Sequence, residues 1–166
     1  IRINSDGVEG SIVLAAATTT VGSLLQNTAT EATVDTASKT LRVTSVTVPS
    51  GKARVTLGAA AGDGTLAPAT AGGGLSLAND GSAPLTVNAV IENNTSASGL
   101  STSGGGAVTL AAANTFSGGT SISGGSLVLA NGDALQNSTV TLGAAAPVFD
   151  GSVSGPAFTF GAVAGS

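Results

Sequence analysis

Short runs with an apolar residue at every second position recur along the chain, and each stops at a cluster of glycine, serine or asparagine. Successive side chains of a strand point to opposite faces, so this rhythm is that of half-buried β-strands. The runs are SIVLA (11–15), TVGSLL (20–25), ATVDT (32–36), TLRVTSVTV (40–48), ARVTL (53–57), LSLA (75–78), PLTVNAVI (84–91), AVTLA (107–111), SISGGSLVLA (121–130) and STVTL (138–142). Between them lie SG (50–51), GDG (62–64), NDG (79–81), SGGG (103–106), SGG (117–119 and 123–125) and ANGD (130–133). These are residues that accept positive φ or close Asx turns. No long segment has a 3.6-residue period. Alanine triplets at 15–17, 59–61, 111–113 and 144–146 are bracketed by Gly, Thr and Asn, and read as corners or loops. The chain is expected to be all-β.

Many short strands joined by glycine turns fit a β-sandwich or a β-solenoid. The side chains available for a core separate the two. Of 166 residues, 42% are apolar, yet the only aromatics are Phe116, Phe149, Phe158 and Phe160, and Trp, Tyr, Met, Cys and His are absent. A compact sandwich is usually centred on large rings or a cross-sheet disulfide. A thin interior repeated along an axis needs only Val, Leu, Ile and Ala. The expectation is a single β-solenoid over residues 1–166, with coils of about 20 residues stacked about 4.8 Å apart, about eight of them in a rod near 40 Å long.

Charge excludes some functions. Charged residues are 8% of the chain and the net charge is −4. Nucleic acid is therefore not an expected target, because phosphates demand clustered Lys and Arg. All five bases lie in residues 1–54, with four acids; residues 55–166 hold five acids and no base. That second stretch offers trypsin no cleavage site, which suits a protein exposed to proteases. The lack of cysteine excludes a disulfide-stapled module. No run of 18 uninterrupted apolar residues appears, so no membrane-spanning helix is expected. The chain starts at Ile1 with no signal-peptide pattern, as a processed product or a fragment would.

Residues 106–142, GAVTLAAANTFSGGTSISGGSLVLANGDALQNSTVTL, resemble the bacterial autotransporter-associated (passenger-associated) β-strand repeat. The family pattern falls on Gly106, Leu110, Asn114, Phe116, Gly118, Gly119, Thr120, Gly124, Gly125, Leu127, Leu129, Leu135, Asn137, Ser138, Val140 and Leu142. Phe116 stands where tyrosine is commoner, and Gln136 replaces a small residue. Weaker likeness continues upstream through TVGSLLQ (20–26), KTLRV (39–43) and residues 74–91. The resemblance implies a right-handed parallel β-helix in an exported bacterial protein, often followed by a membrane barrel that this chain does not contain. The residues suit that fold. Gly118–Gly119 and Gly124–Gly125 would form corners that a Cβ obstructs. Leu127, Leu129, Val140 and Leu142 form inward pairs, Phe116 reads as a core filler, and Asn114, Asn131 and Asn137 as turn or ladder residues.

Two constellations could carry chemistry. β-Helices that cut polysaccharides use paired carboxylates about 5–10 Å apart or acids gathered on calcium. Asp63 with Asp80, and Asp133 with Asp150, are each 17 residues apart and would stack in adjacent coils, with Glu92 as a further acid. Asp63, Asp80 and Asp133, however, stand in GDG, NDG and NGD turns, where aspartate is ordinary. Without histidine there is no Ser-His-Asp set, and the calcium-binding GGxGxD nonapeptide is absent. No catalysis, metal or cofactor is expected. Separately, Lys39, Arg42, Lys52 and Arg54 are either a docking face for an anionic glycan or a solvated edge that resists sheet-to-sheet association. Hydroxyl pairs at Ser101–Ser103, Ser121–Ser123 and Thr139–Thr141 read as side-chain ladders. The drift of their spacing, from 20 to 18 residues, argues against a flat array that binds ice. The functional expectation is a non-catalytic spacer, filament body or adhesin stalk at the bacterial cell surface or outside the cell. Its expected partners are flanking repeats or copies of itself end to end, with cell-surface glycans as the alternative.

Overall fold

The computed structural model describes residues 2–3, 10–142, 147–149 and 157–165. Among them every secondary-structure element is a strand, and every pairing between strands is parallel. One sheet holds seven strands: β2 (Gly10–Val13), β4 (Ala32–Asp35), β6 (Val55–Leu57), β9 (Leu85–Val87), β12 (Ala107–Leu110), β14 (Ser126–Leu129) and β16 (Pro147–Phe149). The second sheet holds ten: β1 (Arg2–Ile3), β3 (Thr18–Gln26), β5 (Thr40–Val48), β7 (Thr65–Ala67), β8 (Gly74–Asn79), β10 (Val90–Ile91), β11 (Gly99–Ser103), β13 (Thr120–Ile122), β15 (Leu135–Leu142) and β17 (Phe160–Gly165). The chain alternates between the sheets, so it is a parallel β-solenoid. Six laps run from β2 to β15, and β1, β16 and β17 extend the ends.

The second sheet turns a corner, and burial shows where. In β5 the inward residues are Leu41 and Val43, then Val46 and Val48; the alternation slips one place at Thr44–Ser45. β3 slips at the same height, with Leu24 and Gln26 buried beyond Gly22–Ser23. One lap later the two halves are separate strands: β7 pairs with Thr40–Arg42 and β8 with Ser45–Val48. Each lap therefore has three sides.

Stacked apolar side chains fill the interior. On the first sheet Ile12 lies on Val34, Leu57, Val87, Leu110 and Leu129 in turn. Val34 to Leu129 in this ladder are all buried to within 1%. Each such burial contributes about 1.5–3 kcal/mol, and like sits on like without large rings. The run PLTVNAVI divides into β9 and β10, and SISGGSLVLA into β13 and β14, because each passes from one sheet to the other at Asn88–Ala89 or Ser123–Gly125. Laps are longer than the expected 20 residues. Thr120 pairs with Val140, 20 residues on, but Thr18 with Thr40, 22 on, and Ser45 with Ser76, 31 on. The surplus leaves the wall as loops, such as residues 68–73 between β7 and β8.

Candidate functional site

The residues that carry the resemblance lie at the seams between laps and in the core. Asn114 is 2% exposed and joins three laps. Its Oδ1 accepts from the Ile91 N–H at 2.8 Å, and its Nδ2 donates to the Ala134 carbonyl at 2.9 Å. Gln136 Nε2 adds a bond to the Asn114 carbonyl at 3.0 Å. The reading of Asn114 as a ladder residue holds, and Asn131 closes an Asx turn by accepting from the Asp133 N–H at 2.9 Å. Asn137 is exposed and lies where the register of β15 against β17 shifts. Phe116 is 1% exposed and packs in the core, as expected. Leu127 and Leu129 are fully buried, and Leu142 pairs with Gly165 through the β15 backbone.

The glycines differ. A Cβ on Gly118 would strike the Ser98 carbonyl of the preceding lap, and one on Gly124 would lie 2.7 Å from the Gly104 carbonyl. Gly125 combines φ +62 with a clash against the Gly106 carbonyl. At Gly119 the nearest atom is the Thr139 carbonyl oxygen at 3.7 Å, ordinary van der Waals contact. The expectation that all four exclude a Cβ is corrected at Gly119, which enters β13 in an open, extended place.

The four bases fall on different sides of the corner in β5. Lys39 and Arg42 stand at its start; Lys52 and Arg54 follow its end. Lys39 Nζ donates to the Ala37 carbonyl at 3.3 Å. Arg54 Nη2 meets Glu31 Oε2 at 2.6 Å, with the side chains 45% and 53% exposed, a surface pair worth about 0–1 kcal/mol. Arg42 lies between Thr20 and Ala67 on the outer face, its Nε buried and without a partner.

Asp63 and Asp80 act as turn clasps. Both oxygens of Asp63 are used: Oδ1 accepts from the Ser38 N–H at 3.0 Å, and Oδ2 from the Ala59 N–H at 2.9 Å and the Thr36 hydroxyl at 3.0 Å. These bonds, that from Ala59 foremost, hold its carboxyl below the usual carboxylate value. Asp63 therefore ties its own turn to residues 36–38 one lap earlier, and its close carboxylate neighbour is Asp35. Asp80 belongs to another corner, where it accepts from the Gly105 N–H at 3.2 Å. Asp133 is exposed in its turn, Glu92 follows β10, and Asp150 lies outside the described residues. The expected stacking of Asp63 on Asp80 does not occur, because the longer laps displace one against the other.

Sequence reasoning missed three further buried amides, Gln26, Asn79 and Asn94. Asn79 has no exposure, donates to the carbonyls of Ala83 at 2.9 Å and Ala107 at 2.7 Å, and accepts from the Gly81 N–H at 2.9 Å. The signal was the NDG turn at 79–81, whose first residue, like the aspartate beside it, bonds across the laps. Outward hydroxyls also align: Thr33, Thr56, Thr86 and Thr109 form one column on the first sheet. No helix is long and apolar enough to cross a membrane, among the described residues.

These features define the class of the protein, a parallel β-solenoid whose polar side chains mostly stitch one lap to the next. No protein-family model matches the chain, and neither curated proteins nor solved structures include a match to it.

Proposed function

We propose that this chain is a non-catalytic structural segment of an exported bacterial surface protein, a stiff spacer, filament body or adhesin stalk of the kind the autotransporter-associated repeat builds. One observation supports this most: the inner ladder continues unbroken through the laps, while Asn79 and Asn114 each bond across them. Stacked backbone bonds and fixed amide links resist bending and axial sliding, which is the property a stalk requires. Asp35, Asp63 and Asp80 accept turn amides in the way structural residues do. The partner in this reading is another lap, from flanking repeats or from a second copy placed end to end. Val163 is 59% exposed at the ladder position where Val140, beneath it, is 1% exposed. A covering lap would bury that edge.

The test has two readouts. Atomic force or electron microscopy of the protein is expected to show straight rods whose length grows with lap number, and antibody to this segment is expected to label intact cells of its source. Compact particles would remove the stalk. Labelling only after cell lysis would remove the export.

A further inference from the structure

Three steps in which an aspartate or asparagine precedes glycine lie among the described residues: Asp63–Gly64, Asp80–Gly81 and Asn131–Gly132. Two more, Asp6–Gly7 and Asp150–Gly151, lie outside them. Such a step can close a five-membered ring, because the glycine nitrogen has no side chain to shield it and is tethered to the carbon it would attack. The fold treats the three differently. The Asp63 carboxylate is engaged by the Ser38 and Ala59 amides and the Thr36 hydroxyl. Asp80 accepts from the Gly105 N–H, and the Gly81 nitrogen that would attack it donates to Asn79 Oδ1 at 2.9 Å. At Asn131–Gly132, by contrast, neither the Gly132 N–H nor Asn131 Nδ2 has an acceptor among the described residues. The side chain is bonded only at its oxygen, where Oδ1 accepts from the Asp133 N–H at 2.9 Å. Attacking and departing nitrogens are thus free, and a backbone donor already faces the oxygen on which negative charge would build.

We infer that Asn131 is a site of self-modification: it deamidates through a cyclic imide with Gly132, and the product loosens the last lap. Gly132 N gives its proton to solvent base and bonds to Asn131 Cγ; the Cγ–Nδ2 bond breaks, and the nitrogen takes up a proton and leaves as ammonia. Water then opens the imide. Attack at Cγ leaves aspartate, whereas attack at the main-chain carbonyl carbon leaves isoaspartate, in which the chain runs on through Cβ and Cγ. The backbone then gains one bond, about 1.5 Å. The turn has little room for it, since even a Cβ on Gly132 would lie 2.9 Å from the Ala157 carbonyl oxygen. The Gly132 carbonyl also accepts from the Thr159 N–H at 2.8 Å, the bond that leads the chain into β17. The Asn131 carbonyl, which becomes a free carboxylate in isoaspartate, accepts from the Ala134 N–H at 3.2 Å. Ala134 is in turn the residue whose carbonyl holds Asn114 Nδ2. Either product adds a negative charge beside Asp133, in a stretch that contains no base. The inference is independent of the stalk reading, because ring closure needs neither export nor a partner.

The experiment ages the purified chain, folded and in denaturant, at neutral and mildly alkaline pH. Peptide mass spectrometry and labelling by an isoaspartyl methyltransferase locate the products, and hydrogen exchange reads the last lap. In the folded chain conversion is expected at Asn131, faster as pH rises, and ahead of Asn93, Asn137, Asp63 and Asp80. Denaturant is expected to bring isoaspartate to Asp63 and Asp80 as well. Aged wild type is expected to lose exchange protection at the Thr159 and Ala134 amides but not at Leu41. Asn131→Ser, whose hydroxyl can still accept from the Asp133 N–H, keeps that protection through the same ageing. An Asn131 that converts in denaturant but stays intact in the folded chain overturns the inference, and so does conversion of Asn93 or Asn137 at the same rate. Unchanged Thr159 exchange in converted protein overturns the loosening of the last lap, as does equal loss of protection in aged Asn131→Ser.

Discussion

A methyl group is the smallest probe of how closely two laps approach. At Gly118 it has nowhere to go, since the carbonyl it would strike belongs to the backbone of the neighbouring lap and cannot swing away. At Gly119, one residue on, it finds ordinary contact at 3.7 Å. Gly118→Ala is expected to cost about 1–3 kcal/mol in denaturant melts, and Gly119→Ala to stay within about 0.5 kcal/mol. Equal losses would mean that the stack adjusts to a Cβ, and that its rigidity is overstated. Thr102 poses the opposite question. It is 1% exposed in the ladder between Leu77 and Ile122, and its hydroxyl has no partner. Valine has nearly the same shape without the oxygen, so Thr102→Val is expected to raise stability by about 1 kcal/mol. A fall in melting temperature would show that the hydroxyl is bonded in solution.

At the scale of turns, the Asp63 clasp makes stability depend on pH. Its carboxyl is held below the ordinary carboxylate value, by the Ala59 amide first and then the Ser38 amide and Thr36 hydroxyl it accepts, so the folded state favours the ionised form. The stabilisation is complete above the unfolded value and is lost as pH falls through the lower folded value. Melting temperature should therefore drop on acidification below about 4, and Asp63→Asn should be less stable at neutral pH with a flatter acid limb. Matching acid limbs in the two proteins would assign the effect to other carboxylates. The sequence made this turn legible but not its partner. GDG announces a turn by local chemistry, whereas its landing on residues 36–38 depends on lap length, which no local pattern encodes. The same division runs through the fold. β5 was legible to the residue, because nine alternating positions carry their own signal. β7 and β11 were not, since TLA and GLSTS are too short or too polar to stand out before their neighbours are in place. Among candidate site residues, Asn114 and Phe116 stood out in the sequence and lie buried, one bonded across laps and one in the core, while Asn79 was hidden behind the aspartate beside it.

Over the whole molecule, each lap touches only the laps above and below, so stability is a sum of neighbour terms and not the product of one central core. Protection from hydrogen exchange should accordingly be greatest in the middle laps, at β6, β9 and β12, and fade towards β3 and β17. Asn114 gives this gradient a local test. Removing its side chain leaves the Ile91 N–H without an acceptor on one lap and the Ala134 carbonyl without a donor on another. Each orphaned group costs about 1–3 kcal/mol. Asn114→Ala is thus expected to lower global stability and to speed exchange of the Ile91 amide more than that of Leu41, two strands away along the same side. If the two amides accelerate equally, the laps unfold as one cooperative body, and neighbour-by-neighbour stacking does not describe how this rod resists load. If only Ile91 responds, load on the rod opens it one seam at a time, beginning where a buried amide has been lost.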